Sequence, residues 1–75
     1  MNRVLKILDD SDTYPYTIGT TCTGMACINR GGTDVVVSVG EVDVTIAPAE
    51  AYSGEFNPFT SVDVTGSDFN LELRG

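Results

Sequence analysis

Apolar and polar residues alternate on both sides of two glycine-led dipeptides, and this alternation predicts strands and their alignment together. With Gly40-Glu41 as a two-residue loop of type II′, Val39 falls opposite Val42, Val37 opposite Val44 and Val35 opposite Ile46, and the polar residues share the other face. Gly66-Ser67 treated in the same way sets Val64 against Phe69 and Val62 against Leu71, with Asp63 meeting Asn70 and Ser61 meeting Glu72. A slip of one residue would mix the faces, so the pattern specifies register. Arg30-Gly31-Gly32-Thr33 predicts a third hairpin, which places Ile28 opposite Val35, Ala26 opposite Val37, and Cys27 beside Val36 on the reverse face.

The rest of the chain divides into similar pieces. Arg3 to Leu8 fits a first strand, and Asp9-Asp10-Ser11-Asp12 a solvated turn. Tyr14 to Ile18 reads as a short edge strand, because Pro15 cannot donate to a ladder, and Gly19 ends it. Thr20 to Arg30 is the next strand. Ala47 to Ala51 breaks the alternation as a loop or single turn, Tyr52 to Phe56 is a strand, Asn57-Pro58 a turn, and Phe59 to Val64 with Phe69 to Leu73 form the closing hairpin. About eight short strands with tight hairpins predict an all-β fold, a small antiparallel β-sandwich or barrel. A single domain is expected over residues 1–75.

Composition changes this picture in two ways. A domain of 75 residues buries only about 60% of the surface its unfolded chain exposes, and two cysteines with no histidine supply neither a disulfide framework nor a histidine-rich metal site. Oligomerisation is then the common remaining source of stability. The net charge of -7, from 11 acidic against 4 basic residues, repels phosphate and anionic lipid, and Arg3, Lys6, Arg30 and Arg74 are scattered. Neither nucleic acid nor a membrane is an expected partner. The N-terminal apolar stretch is interrupted by Lys6 and stopped by acids, so no secretion signal is expected, and no apolar run approaches the roughly 20 residues that span a bilayer.

The chain offers little catalytic chemistry. Serine–histidine and cysteine–histidine mechanisms need a histidine, Lys6 lacks a Ser-x-x-Lys or Gly-x-Ser-x-Gly partner, and a carboxylate pair for glycoside chemistry would need a deeper cleft. No catalytic residue and no cofactor is assigned. Cys22 and Cys27 carry two readings. On one straight strand they lie on opposite faces, farther apart than the roughly 7 Å limit of a disulfide, and are buried thiols. If residues 23–26 form a hairpin loop instead, they become cross-strand neighbours that can be bridged. Asp9, Asp10 and Asp12 form the densest acidic cluster, the type of loop that holds calcium, but the order of an EF-hand is missing and a hydrated turn explains them. Tyr14, Tyr16 and Ile18, on one face of a short edge strand, are interface candidates together with Cys27 and Val36.

From Ile28-Asn29, through the valine-rich hairpin to Val44-Thr45-Ile46-Ala47, then Glu50, Phe56-Asn57-Pro58-Phe59-Thr60-Ser61-Val62 and Leu73-Arg74-Gly75, the chain resembles small all-β virion structural proteins of tailed bacteriophages. The resemblance leaves the segment before Ile28 unmatched and carries over no catalytic or ligand-binding residue. It implies a capsid decoration or cement protein that binds the major capsid protein or another virion structural protein. Such a protein is made in the host cytoplasm and sits on the capsid exterior, where negative charge is at home. A homo-oligomer is expected, with a trimer favoured. The alternative is a neck, tail or adsorption-apparatus β module that binds carbohydrate or calcium.

Overall fold

The computed structural model describes residues 3–75, so the first two positions of the expected domain lie outside the described residues. Six strands run in chain order, β1 (Val4–Asp9), β2 (Tyr16–Asn29), β3 (Val35–Val39), β4 (Val42–Ile46), β5 (Ala51–Thr65) and β6 (Phe69–Arg74). All are antiparallel in a single sheet of order β1-β6-β2-β5-β3-β4, which does not close into a barrel. The sheet curls strongly. Leu8 on one outer strand and Ile46 on the other belong to a single buried cluster, and the molecule measures 31 × 22 × 21 Å. A flat sheet of this width would be far thinner in one direction, since strands lie about 4.8 Å apart and side-chain layers about 10 Å.

The expected count of eight is corrected to six because two predicted breaks are irregularities inside long strands. From Thr17 to Cys22, five steps on β2, the partner β5 moves only from Ser61 to Phe59, two steps; Gly19, with φ of 82°, lies in the excess. From Cys22 to Gly24, two steps on β2, β5 moves from Phe59 to Glu55, four steps, and the excess contains Asn57-Pro58. Proline lacks the N–H a ladder needs, so it sits where pairing is already interrupted. Tyr14 to Ile18 is therefore not an edge strand of its own. Its second half opens β2, and Tyr16 pairs with Val62.

The Gly40-Glu41 hairpin forms in the expected register, Val39 with Val42, Val37 with Val44 and Val35 with Ile46. Gly40 has φ of 60° and Glu41 does not share the positive sign, the pattern of a type II′ turn. The other two hairpins do not exist. β2 lies between β5 and β6, and β5 lies between β2 and β3, so Gly66-Ser67 and Arg30-Thr33 are arches that carry the chain across the core. Gly66, at φ of 134°, takes a backbone shape closed to other residues, and a Cβ there would meet the Asp34 carbonyl at 3.0 Å. Val62, Val64, Phe69 and Leu71 still face one core, but from across it. Alternation states which face of a strand is apolar; it is satisfied equally by a ladder neighbour and by a strand facing it.

At β2 the correction reaches the faces themselves. Met25 and Cys27 point into the core beside Leu73 and Leu71, whereas Ile28 is exposed and Ala26 half-buried on the outside. The phase is set by Asn29, a buried polar residue whose amide donates to the carbonyls of Thr33 (2.7 Å) and Ile46 (2.9 Å) and whose Oδ1 accepts from the Gly31 N–H (3.0 Å). The Thr33 carbonyl and the Gly31 N–H belong to the arch, which has no ladder partner to offer them, and the Ile46 carbonyl lies at the end of β4.

Candidate functional site

Each residue singled out in the sequence has a definite place. Tyr14, Tyr16 and Ile18 are half-buried and pack against the core. The Tyr14 hydroxyl donates to the Asp9 carbonyl at 2.8 Å, and its ring lies 5.9 Å from that of Phe69. Burial first, and the carboxylates of Asp12, Asp9 and Asp10 after it, push the Tyr14 hydroxyl above its ordinary pKa. It is a structural strut that stays protonated. Val36 is half-buried on the outside of β3, between Thr45 and Thr65. Cys27, expected on that same outer surface, is 1% exposed and inside the core, so it cannot meet a partner.

The acidic turn is wired internally. Asp9 accepts from both the hydroxyl and the N–H of Ser11, which holds its carboxyl below the usual range, with the hydroxyl as the larger cause. Asp12 accepts from the Asp9 N–H at 3.0 Å, and Asp10 reaches across to the Asp68 N–H at 3.0 Å. The three carboxylates serve donors on three different residues, and among the described residues no three potential metal ligands converge.

Cys22 and Cys27 are both free and buried, and the bulge between Cys22 and Gly24 is what turns both inward despite their spacing. Burial pushes both thiols up, that of Cys27 to about 11. At pH 8 neither is expected to react with iodoacetamide in the native protein, and both are expected to react in urea; rapid native labelling would contradict this packing. The sign for stability follows. The folded state holds the Cys27 proton more tightly than the unfolded state does, so the contribution is intact below pH 9 and is lost as pH rises toward 11.

Among the described residues, one shallow groove is lined by Arg3, Leu5 and Thr21, and another by Val39, Val42, Phe56 and Pro58 between the β3–β4 turn and the β5 irregularity. Neither brings a nucleophile and a base together. The feature that stands out is the outer face of β1, β6 and β2. Val4 is 47% exposed, Ile7 63% and Ile28 51%, and they are joined by half-buried Ala26 and, on β5, by exposed Ala51. Cross-strand register places Ile7, Glu72 and Ala26 in one row and Asn70, Ile28 and Ala51 in the next, so Ile7 and Ala26 stand about 10 Å apart with β6 between them. Of the charges on this face, Arg74 pairs with Glu72 at 3.0 Å, Arg30 reaches the neutral amide of Asn70 at 3.4 Å, and Asp9 stands opposite Asn70 in register. On a chain of net charge -7, this face sets cations as well as carboxylates among its apolar residues. Sequence reasoning missed Ile28 as a surface residue because it put the β2 phase one residue out, and it assigned Ile7 on β1 to no face; the signal for the true β2 phase was Asn29, which alternation alone treats as an outside residue.

Comparison with known proteins returns no matching family, no matching curated protein and no matching solved structure.

Proposed function

We propose that this chain acts by binding another protein, as a virion structural protein of the capsid decoration or cement kind that attaches to shell subunits. The observation that carries the reading is the outer face of Val4, Ile7 and Ile28, an apolar area crossed by the Arg74–Glu72 ion pair on an otherwise acidic small domain. Burying such an area against a shell removes apolar surface from water and supplements a thin core. The acidic remainder then faces solvent. The class of partner rests on the resemblance to tailed-phage structural proteins; the face of attachment rests on the exposed residues.

Particles carrying this protein are expected to resist heat and osmotic shock better than particles lacking it, and added protein should restore the difference. Equal resistance of the two preparations would sink the cement reading. The double variant Ile7→Lys/Ile28→Lys is expected to keep its far-ultraviolet dichroism and melt within a few degrees of the parent, because both positions are exposed. Its binding to particles is expected to fall at least about tenfold, as loss of anchors in an interface core does. Unchanged binding would remove this face from the attachment.

A further inference from the structure

We propose that β4 is a pairing edge whose partner is β4 of a second copy of this chain, aligned antiparallel with Val44 opposite Val44. The inference does not rest on the virion reading, because it uses the opposite end of the sheet from the Ile7–Ile28 face.

The sheet has two outer strands, and they are built differently. β1 is blunted: its ladder to β6 is interrupted between Val4 and Lys6, the Lys6 ammonium stands 5.9 Å over the Tyr16 ring, and its last carbonyl, that of Asp9, accepts from Tyr14. Interrupted pairing, a lysine and a covering side chain are the usual means of protecting an edge. β4 carries none of these three; Asp43 is its one charged residue. Its sequence Val-Asp-Val-Thr-Ile holds no proline, glycine or lysine, and among the described residues its ladder partner is β3 alone.

The backbone groups on offer follow from the turn. A two-residue loop closed by Val39 and Val42 makes Val42, Val44 and Ile46 the positions bonded to β3. The N–H and C=O of Asp43 and Thr45 therefore point to the open side, and both residues are exposed. This short strand is also symmetric in polarity about Val44, apolar, polar, apolar, polar, apolar. Reversed against itself it sets Val42 opposite Ile46 on the core side and Asp43 opposite Thr45 on the outer side, twice over, each Asp43–Thr45 pair exchanging its N–H and C=O groups. Half-exposed Val42, 49% accessible, gains an apolar neighbour. Centring the pairing on Asp43 would oppose two carboxylates, and centring it on Thr45 would run Val42 against Pro48. The polarity selects Val44.

A strand paired antiparallel with its own copy has a two-fold axis, so the assembly is a dimer and not the trimer expected from sequence. The interface is one short strand from each copy, below the roughly 1,200 Å² of a stable complex, and each partner carries a charge of -7. Association is therefore weak, and it strengthens with salt as that repulsion is screened.

Sedimentation equilibrium on the full chain, up to about millimolar protein and at low and high salt, gives the first test. A monomer–dimer equilibrium that tightens with salt is expected. Amide hydrogen exchange by NMR on the same samples gives the second: the Val44 amide is protected at every concentration, whereas those of Asp43 and Thr45 exchange freely in the monomer and slow in step with dimer formation. Thr45→Pro removes an outward N–H without touching the β3 ladder and is expected to weaken the dimer about thirtyfold, one hydrogen bond at each end of the symmetric pairing. Asp43→Asn is expected to tighten it. A monomer at all concentrations, a trimer, or a dimer whose Asp43 and Thr45 amides stay unprotected would each overturn the proposal. The exchange measurement decides the matter even if Thr45→Pro does not fold.

Discussion

Asn29→Ala is expected to lower the melting temperature by about 15 °C. The side chain makes three hydrogen bonds, of which the one to the Ile46 carbonyl is buried. Alanine removes one buried and two part-buried hydrogen bonds, worth about 1 kcal/mol each. A loss of about 3 kcal/mol in a domain of this size moves the midpoint by about 4–8 °C per kcal/mol. Asn29→Asp separates geometry from volume. A carboxylate fills the space but cannot donate to the Thr33 and Ile46 carbonyls, so at neutral pH it is expected to cost at least as much as alanine, and the deficit should shrink as acid restores one O–H donor. Thermal unfolding followed by circular dichroism reads both. A shift of less than about 4 °C for Asn29→Ala would mean that the arch carbonyls find other partners.

Cys27→Asp and Ile28→Asp are expected to differ by more than any other adjacent pair on β2. Cys27 sits in the core between Leu71 and Tyr52 in register, where a carboxylate has no partner; such a charge costs about 3–5 kcal/mol. Stability of roughly 0.05–0.15 kcal/mol per residue leaves little after that loss, so Cys27→Asp is expected to be largely unfolded at physiological temperature. Ile28 faces solvent, and aspartate there pays only the strand preference, about 1 kcal/mol. Urea titration of the two variants ranks them. The opposite ranking would restore the meander in which Ile28 faces Val35 and would remove Ile28 from the docking face.

These two residues also mark where sequence patterning stopped being informative. The β3–β4 hairpin was legible in full, faces, register and turn type, because a two-residue loop forces the flanking residues to pair and Gly40 supplies the positive φ. The longer Arg30-to-Asp34 and Gly66-to-Asp68 connections carry the same glycine signal without that obligation. Each holds the chain in an arch, and the two arches meet where the Arg30 N–H donates to the Asp68 carbonyl at 2.8 Å. Nothing in either segment alone announces the other. The exposed Ile7–Ile28 face was hidden for the same reason, since it depends on which strands flank β6, and the edge at β4 became visible only once β3 was known to turn its other side to β5.

The sequence by itself determined the all-β character, the apolar set that makes the core, the valine hairpin and the acidic, histidine-free surface, all of which follow from local alternation, turn chemistry and composition. Only the tertiary structure decided the strand order, the merging of eight short strands into six, the inward turn of Cys27 and the outward turn of Ile28. The physical reason is that hydrophobic burial is non-directional. It rewards an apolar face for leaving water whichever strand covers it, while the choice of neighbour is made by distant backbone hydrogen bonds and by a single buried asparagine that ties them together.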